Sequence, residues 1–321
     1  MKSTVFWVLA AAISALVCIG GCYSSEVQQM PAVAAEEPIE VPAMTTITKP
    51  FYPVSEFDIT GPFEIKWHYS PTENQCKLTM KPEQSKDIVV QATGTTLSVV
   101  NEYEYDNNFL LRLLTLGMWK PDRFVPKLEI TTSLMPTQIS LRHAQFFAET
   151  PIKSPELTIK VAHASVFRCD EAEIDTLSLE AANASSVLLN ASGDKLSLNL
   201  RNSISMSISG TYSNVSGTCS NSASVDSNLH GDTLTLKLSN SSVWGGTSTF
   251  HTVTYKGSNN SHMLLDKADT VTCKLSNSSI LSIKDVSRVS GKLSNSAKLV
   301  VPQKADCSTI ETSNSAGVYY Q

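Results

Sequence analysis

The sequence predicts an all-β protein, a right-handed parallel β-helix with coils of about 18–20 residues and an N-terminal antiparallel β cap. A motif of the form LTLKLSNSS, at residues 234–242, recurs along the chain, and its central polar residue returns every 18 to 20 positions. Before each such residue, apolar side chains alternate with Ser, Thr, Lys or Glu. A repeat of this period is typical of a solenoid. Alternation with period two is typical of a strand with one buried face.

One anchor residue in each coil marks the predicted corners. His143 and His163 come first, and a structural ladder of asparagines follows: Asn183, Asn202, Asn221, Asn240, Asn259, Asn277, Asn295 and Asn314. Asn tolerates left-handed backbone and bonds its own turn, which suits a corner. We expect each amide to point inward and to bond the backbone of the next coil, since an uncharged amide cannot act as a base. Ligand coordination by the same column is the alternative.

The first 22 residues resemble the signal peptide of a bacterial lipoprotein. Lys2 provides a positive start, and the apolar stretch 5–17 is too short to span a membrane. The sequence IGGC at residues 19–22 resembles a lipobox, which implies lipidation of Cys22 and a membrane anchor without a spanning helix. No Asp directly follows Cys22, which favours the bacterial outer membrane, on its periplasmic or its surface face. An ordinary signal peptide with a chance cysteine is the alternative.

Two segments separate the signal peptide from the predicted β-helix of residues 127–321. Residues 23–50 are rich in Pro, Ala, Glu and Thr and have no apolar period, which predicts a disordered tether. Residues 51–126 are the predicted β cap, because the alternating runs 57–69 and 76–80 flank a turn and suggest an antiparallel hairpin. We expect the hairpin to cover the first coil, since an open β edge invites pairing.

An apolar insert, FLLRLLTLGMW at residues 109–119, interrupts the cap. It is too short to span a bilayer. Its predicted role is a hydrophobic flap or helix that plugs the end of the solenoid. The alternatives are an oligomer contact or a segment that touches the membrane. The β edge near residues 318–321 has no capping helix or proline after it, so we expect a homo-oligomer through this edge or through the insert.

Four stretches of the chain resemble the GIN domain family, whose members are described as head domains of proposed autotransporter adhesins. They are VSEFDITGPFEIKW from Val54, KLTMKPE, IVVQATGTTLSVV and KLEITTSLMPTQISLRHAQ. The resemblance covers residues 51–321 and implies a right-handed β-helix in envelope lipoproteins or secreted proteins of bacteria. It carries no catalytic motif. His143 and His163 depart from the pattern, because later coils have Asn at this position.

Patterns for catalysis and for metal binding are weak, and we assign no cofactor, metal or catalytic residue. His143 and His163 would stack on adjacent coils, but two ligands alone hold a metal poorly. Five cysteines after residue 22 form an odd set without a CxxC motif, and we expect them to act as buried apolar side chains: Cys76, Cys169, Cys219, Cys273 and Cys307. The net charge of −5 argues against a nucleic-acid partner.

Two classes of function fit these patterns. The first is a non-enzymatic envelope lipoprotein with an adhesin-like or scaffolding β-helix. The alternative is a carbohydrate-active β-helix enzyme, either a polysaccharide lyase or a glycoside hydrolase. Such an enzyme needs clustered carboxylates and usually long inserted loops. The coils after Leu157 are short and nearly uniform, which favours the first class.

One outward surface is a candidate binding site for anionic glycans. Three positions before successive anchors lie Lys237, Lys256, Lys274 and Lys292. The flanking outward positions carry hydroxyl groups, at Thr235, Thr254 and Thr272 on one side and at Ser239, Ser258 and Ser276 on the other. Lysines supply positive charge, and hydroxyls bond sugar or phosphate oxygens. A solvated face whose lysines splay apart is the alternative.

Overall fold

A computed structural model describes residues 43–101 and 125–321 of the chain. These residues are nearly all β, with 71% in strands, and form a β-solenoid of about 10 turns with coils of about 19 residues. The predicted fold class is confirmed. The predicted signal peptide with Cys22, residues 23–42 of the predicted tether and the apolar insert 109–119 lie outside the described residues.

The solenoid begins with short strands. They are β1 (Thr45–Pro50), β2 (Glu56–Thr60), β3 (Glu64–Tyr69), β4 (Gln75–Met80), β5 (Ile88–Thr93), β6 (Thr96–Asn101), β7 (Lys127–Thr132), β8 (Gln138–Arg142) and β9 (Gln145–Ala148), with a 3-10 helix at Pro82–Lys86. Strand β2 lies between β6 and β8, and β3 lies between β7 and β9, with all four pairings parallel. The parallel stack therefore begins within the predicted cap, before residue 127.

The antiparallel hairpin predicted from the runs 57–69 and 76–80 is wrong. Strand β7 lies between the two runs, since it pairs in parallel with β3 and antiparallel with β4. The alternation identified the buried side chains, for example Trp67 at 0% and Cys76 at 1% exposure. It does not specify the neighbouring strand, which here follows the insert in sequence. The antiparallel pairs of the cap also include β1 with β4 and β5 with β6.

The predicted tether also ends earlier than residue 50. Strand β1 pairs with β4 along its whole length, from Thr45 opposite Met80 to Pro50 opposite Gln75. Most of its side chains are exposed. Polar composition and a proline are what an outer strand tolerates. This explains why the segment resembles a tether in sequence.

The remaining strands build the regular coils. They are β10 (Ile152–Ala162), β11 (Val166–Ala182), β12 (Ser186–Arg201), β13 (Ser205–Ser220), β14 (Ser224–Leu238), β15 (Val243–Gly246), β16 (Thr249–Gly257), β17 (His262–Leu275), β18 (Ile280–Leu293), β19 (Lys298–Val301), β20 (Asp306–Thr312) and β21 (Gly317–Tyr320). Equivalent residues of successive coils are paired, as in Leu196, Val215 and Leu234. The sequence repeat is therefore also a structural repeat.

One continuous apolar core runs through the coils, because every second residue of each strand segment points inward. Trp67, Trp244, Tyr212 and Tyr255 are among its largest fully buried side chains. Burying a large apolar side chain contributes about 1.5–3 kcal/mol, so the stacked core stabilises each coil substantially. Where two coils approach most closely, only glycine fits: a Cβ on Gly291, at φ 134°, would lie 1.8 Å from the carbonyl oxygen of Cys273.

The cysteines of the described residues are unpaired, as the sequence predicts for at least one of them. Cys76, Cys169, Cys219 and Cys273 are buried, and Cys307 is half-buried. Burial raises the pKa of the Cys76, Cys219 and Cys273 thiols to about 12. These thiols are neutral apolar side chains of the core. Within the described residues, no helix is both long and apolar enough to cross a membrane.

Candidate binding face

The strand segments that precede the corners place four lysines in one line. Lys237 is paired with Lys256, Lys256 with Lys274, and Lys274 with Lys292, so the four residues occupy consecutive coils. All four are exposed, since the alternate residues, such as Leu236 and Leu238, point into the core. We call these four residues the lysine column. Its geometry is the one predicted from the repeat.

Two hydroxyl columns flank the lysine column and complete what we call the lysine face. They consist of Thr235, Thr254 and Thr272 on one side and Ser239, Ser258 and Ser276 on the other. The three serines are half-buried, and their amide groups donate to the preceding coil. The longer lysine side chains extend past them. The face therefore has hydroxyl groups at its base and ammonium groups above.

Three members of the lysine column have no counter-charge within the described part of the chain. Lys237, Lys256 and Lys274 form no ion pair with any described residue. Lys292 differs, because its Nζ lies 2.8 Å from Oε2 of Glu311 on the next coil. The hydrogen bond to Glu311 raises the pKa of Lys292. At this end of the lysine column, the carboxylate of Glu311 therefore compensates the charge of Lys292.

Elsewhere on the solenoid, several charged residues form ion pairs with opposite charges on a neighbouring coil. The Nζ–carboxylate distances are 2.7 Å for Lys284 with Asp266, 2.7 Å for Lys304 with Asp285 and 3.2 Å for Lys153 with Glu173. Opposite charges facing each other across strands are favourable, whereas like charges are unfavourable. The lysine column differs from these pairs, because each of its lysines has a like charge as a register neighbour.

The asparagine ladder is a second repeated feature, and its predicted orientation is wrong. The amides are exposed and bond one another instead of the backbone. Each Nδ2 donates to Oδ1 of the preceding anchor over 2.8–3.0 Å, in an unbroken series from Asn183 to Asn314. One N–H and one oxygen lone pair of most amides remain available to solvent.

The corner geometry explains the outward amides. Two consecutive residues are left-handed at each regular corner, for example Asn240 at φ 53° and Ser241 at φ 60°. The residue after them, Ser242, takes the inward place with 0% exposure and donates its hydroxyl proton to the carbonyl oxygen of Ser239 over 2.8 Å. The sequence signal for this arrangement is a Ser or Ala two positions after the anchor, found at every asparagine of the ladder except Asn202, where Ile204 takes this place.

His143 and His163 occupy the first places of the ladder. Their rings are stacked, with centroids 5.4 Å apart and planes inclined by 27°. Burial lowers the pKa of His143, and the neighbouring His163 lowers it further. No group of three or more His, Cys, Asp or Glu side chains in residues 43–101 and 125–321 is arranged to hold a metal ion.

A trough of about 280 Å³ lies beside His163, on the same side of the solenoid as the lysine face. Its lining includes a column of four register neighbours, Arg142, Ala162, Ala182 and Arg201. The two alanines are half-buried and the two arginines are exposed. The small side chains leave the floor of the trough open, and an arginine stands at each end.

A larger open groove, of about 520 Å³, lies on another side of the solenoid and contains several carboxylates. Two of its carboxylates are neutralised by neighbours: Glu149 by Lys66 at 2.5 Å, and Asp170 by Arg168 at 2.9 Å. These hydrogen bonds lower the pKa of both carboxyl groups. A general acid for glycoside hydrolysis requires a raised pKa. Neither Glu149 nor Asp170 therefore has the raised pKa of a general acid.

Comparison with known proteins finds solved structures that are similar at low sequence identity. No family model matches the sequence, and no curated protein matches it. Solved structures that are similar include a proposed adhesin from Parabacteroides merdae (11% identity, TM-score 0.47, 87% of this chain and 96% of that one). Another is a proposed adhesin from Bacteroides fragilis (12%, 0.47, 76% and 98%). A proposed lipid-binding protein from Parabacteroides distasonis (15%, 0.41, 87% and 96%) is also similar.

These identities and TM-scores are too low to carry an argument about fold or function. The strand register itself defines the class of protein, a parallel β-solenoid with one repeated, positively charged face. The resemblance to the GIN domain family in particular stays a prediction from the sequence.

Proposed function

We propose that this protein is a non-enzymatic lipoprotein of the bacterial cell envelope, and that its lysine face binds anionic glycans. The lysine column carries the proposal. Lys237, Lys256 and Lys274 stack in register without an ion-pair partner among the described residues, whereas Lys284 and Lys304 each bind a carboxylate of a neighbouring coil. A polyanion that runs along the solenoid axis would supply the missing counter-charge.

The energetics favour such a ligand. The backbones of lysines on neighbouring coils lie about 5 Å apart. Like charges that face each other across neighbouring strands repel. The repulsion is relieved when carboxylate, sulfate or phosphate groups lie between the lysines. The hydroxyl columns supply donors and acceptors for the sugar hydroxyls on either side of the charged line.

The non-enzymatic part of the proposal is supported by the state of the carboxylates in the larger groove. Glu149 and Asp170 have lowered pKa values because Lys66 and Arg168 bind them. The acidic corner residues are also bridged: His251 Nδ1 lies 2.8 Å from Asp269, and its Nε2 lies 3.9 Å from Asp232. A lowered pKa makes Glu149 and Asp170 poor proton donors for a leaving group.

The envelope location follows from the sequence of residues 1–22, which we propose to be a lipoprotein signal peptide with lipidation at Cys22. A lipid anchor and a tether would hold the solenoid near the outer membrane. Glycans and lipopolysaccharide phosphates are the anionic polymers of that environment. The location and the charge of the lysine face thus point to the same class of partner.

Binding to polygalacturonate across a salt series tests the proposal, with neutral dextran as the comparison polymer. The quadruple variant Lys237→Gln, Lys256→Gln, Lys274→Gln, Lys292→Gln should bind roughly ten- to a hundredfold more weakly at low salt. Its salt dependence should also be shallower, since fewer counterions are exchanged.

A matched control removes four lysines from other sides of the same region. They are Lys267, Lys284, Lys298 and Lys304, all exposed, each changed to Gln. This control has the same net charge as the lysine-column variant and should keep most of the affinity. Equal loss in both variants would show that net charge alone drives binding and would refute a specific face. Binding to dextran as strong as to polygalacturonate would refute an anionic ligand.

A further inference from the structure

The trough between Arg142 and Arg201 differs from the lysine face in shape and in charge. Three coil steps separate the two arginines, which is roughly 14 Å at the spacing of stacked strands. Between them the column holds only Ala162 and Ala182, whereas in later coils it holds serine, as at Ser220 and Ser239. The trough is thus a short depression with an apolar floor and a guanidinium group at each end.

Unpaired charges line this depression. Arg142, Lys160 and Arg201 form no ion pair with any residue in the described part of the chain. The carboxylate of Glu180 is the acidic group of the lining, and it is a register neighbour of Lys160 without an ion pair to it. Exposed arginines are best satisfied by planar anions, which they bind through two parallel hydrogen bonds.

We propose that the trough binds a short acidic oligosaccharide, with a carboxylate at Arg142, another at Arg201 and a sugar ring lying on Ala162 and Ala182. The alanine methyl groups cover the apolar C–H face of a ring. Glu180 accepts hydrogen bonds from ring hydroxyls, and the side-chain amide of Asn183 lies at the edge of the same lining. Lys160 adds positive charge beside the ring.

An acidic peptide is a weaker fit for this surface. Extended peptides gain affinity by adding a strand to a free sheet edge. The strands of the trough offer no such edge: β10 is paired on both sides, with β8 and β11, and β11 is paired with β10 and β12. A ligand here must bind through side chains alone. Sugar rings, with hydroxyls and an apolar face, suit that requirement.

The inference rests on the proposed function for the class of ligand and adds a discrete site to it. The coil between the trough and the lysine column presents Ser216, Thr218 and Ser220 outward, without charge. The trough and the lysine column are therefore separate positive regions on one side of the solenoid, and different variants remove them. A long polymer could contact both, whereas a trisaccharide reaches only one.

Calorimetric titration with trigalacturonate tests the trough, with maltotriose as the neutral ligand of equal length. The double variant Arg142→Gln, Arg201→Gln should bind trigalacturonate roughly tenfold more weakly, or worse, because two charge-assisted contacts are lost. The double variant Arg168→Gln, Arg288→Gln removes two exposed arginines elsewhere and should bind like the wild type.

A second pair of variants tests the shape of the trough without changing its charge. Ala182→Gln places a longer side chain on the floor and should also weaken binding roughly tenfold. Ala182→Ser introduces the residue that later coils carry and should leave binding within about twofold. Thermal unfolding of each variant identifies any loss of affinity that comes from a loss of folded protein.

The outcomes separate this inference from the proposed function. Suppose that the arginine double variant and Ala182→Gln bind trigalacturonate like the wild type, and that the lysine variant loses polygalacturonate binding. The proposed trough site is then overturned, and the proposed lysine face stands. If the arginine variant loses binding of both trigalacturonate and polygalacturonate while the lysine variant keeps both, the trough site stands and the lysine face is overturned. Absence of trigalacturonate binding to the wild type overturns the trough. Equal binding of triglutamate and trigalacturonate overturns its assignment to a sugar.

Discussion

The side-chain amide of Asn259 donates a hydrogen bond to the amide oxygen of Asn240 over 2.9 Å, across two corners that are both left-handed and both exposed. Asn277 donates to Asn259 in the same way, also over 2.9 Å. An interior member of the ladder thus makes two amide contacts while its backbone occupies a conformation that most residues avoid. The ladder combines a local backbone requirement with a contact between coils.

Replacing Asn259 by Leu tests both contributions. The variant loses the two amide bonds and places a bulky residue in left-handed backbone, so unfolding in urea should show a loss of about 2–3 kcal/mol. Asn259→Gly keeps the backbone conformation accessible and loses only the amide bonds, so its loss should be smaller. If the Leu variant were no less stable than the Gly variant, left-handed strain would not be part of the cost.

The contact of Gly291 with Cys273 predicts a large effect from a single methyl group. In Gly291→Ala the new Cβ would lie 1.8 Å from a backbone oxygen, at φ 134°. The coils would have to move apart, and the free energy of unfolding should fall by about 3 kcal/mol or more. Gly94→Ala is the control, because φ is 59° there but nothing lies within 4 Å. Its loss should be about 1 kcal/mol, and similar melting of the two variants would contradict a steric clash.

The lowered pKa values of His143 and His262 predict a loss of stability on acidification. Burial is the main cause at both residues, with His163 adding to it at His143. Because the folded-state pKa lies below the ordinary value of 6.5, the unfolded chain binds the proton more readily. The contribution is fully present above that pH and is lost as the pH falls towards the folded-state pKa values.

The melting temperature should therefore fall as the pH is lowered from neutral to mildly acidic. It should fall less steeply in the double variant His143→Asn, His262→Asn. Asn is the residue that later coils carry at the position of His143. His230→Asn, at an exposed position, controls for the loss of a histidine. An unchanged pH dependence in the double variant would assign the acid sensitivity to other groups.

Lipidation at Cys22 is a prediction from the sequence of residues 19–22. Cells grown with a clickable fatty-acid analogue should label the wild-type protein, and Cys22→Ala should abolish the label. Cys18→Ala serves as the control, because the residue before it, Val17, is not small. Label that persists in Cys22→Ala would show that Cys22 is not the lipidated residue. Label that is lost in Cys18→Ala would assign the anchor to Cys18 instead.

Several features of this molecule could be predicted from the sequence because they are periodic. The inward places of Leu196 and Leu234, the corners at the asparagines and the stacking of the lysine column all follow from one repeat length. The pairing of β3 with β7 was not readable, since the insert separates the two strands in sequence and alternation specifies only a buried face. The trough also escaped prediction, because Ala162 and Ala182 matter through the space they leave open.

The register of the coils allows the lysine face to be lengthened or shortened by whole coils. In a solenoid each coil contacts only the coil before and the coil after it, so repeats can be gained or lost without redesign of a shared core. Duplication of the coil that contains Lys256 would lengthen the lysine column by one ammonium group and about 4.8 Å. Deletion of that coil would shorten it by the same step and bring Lys237 next to Lys274. The reach of the surface along a polymer is thus set in discrete increments by the number of coils.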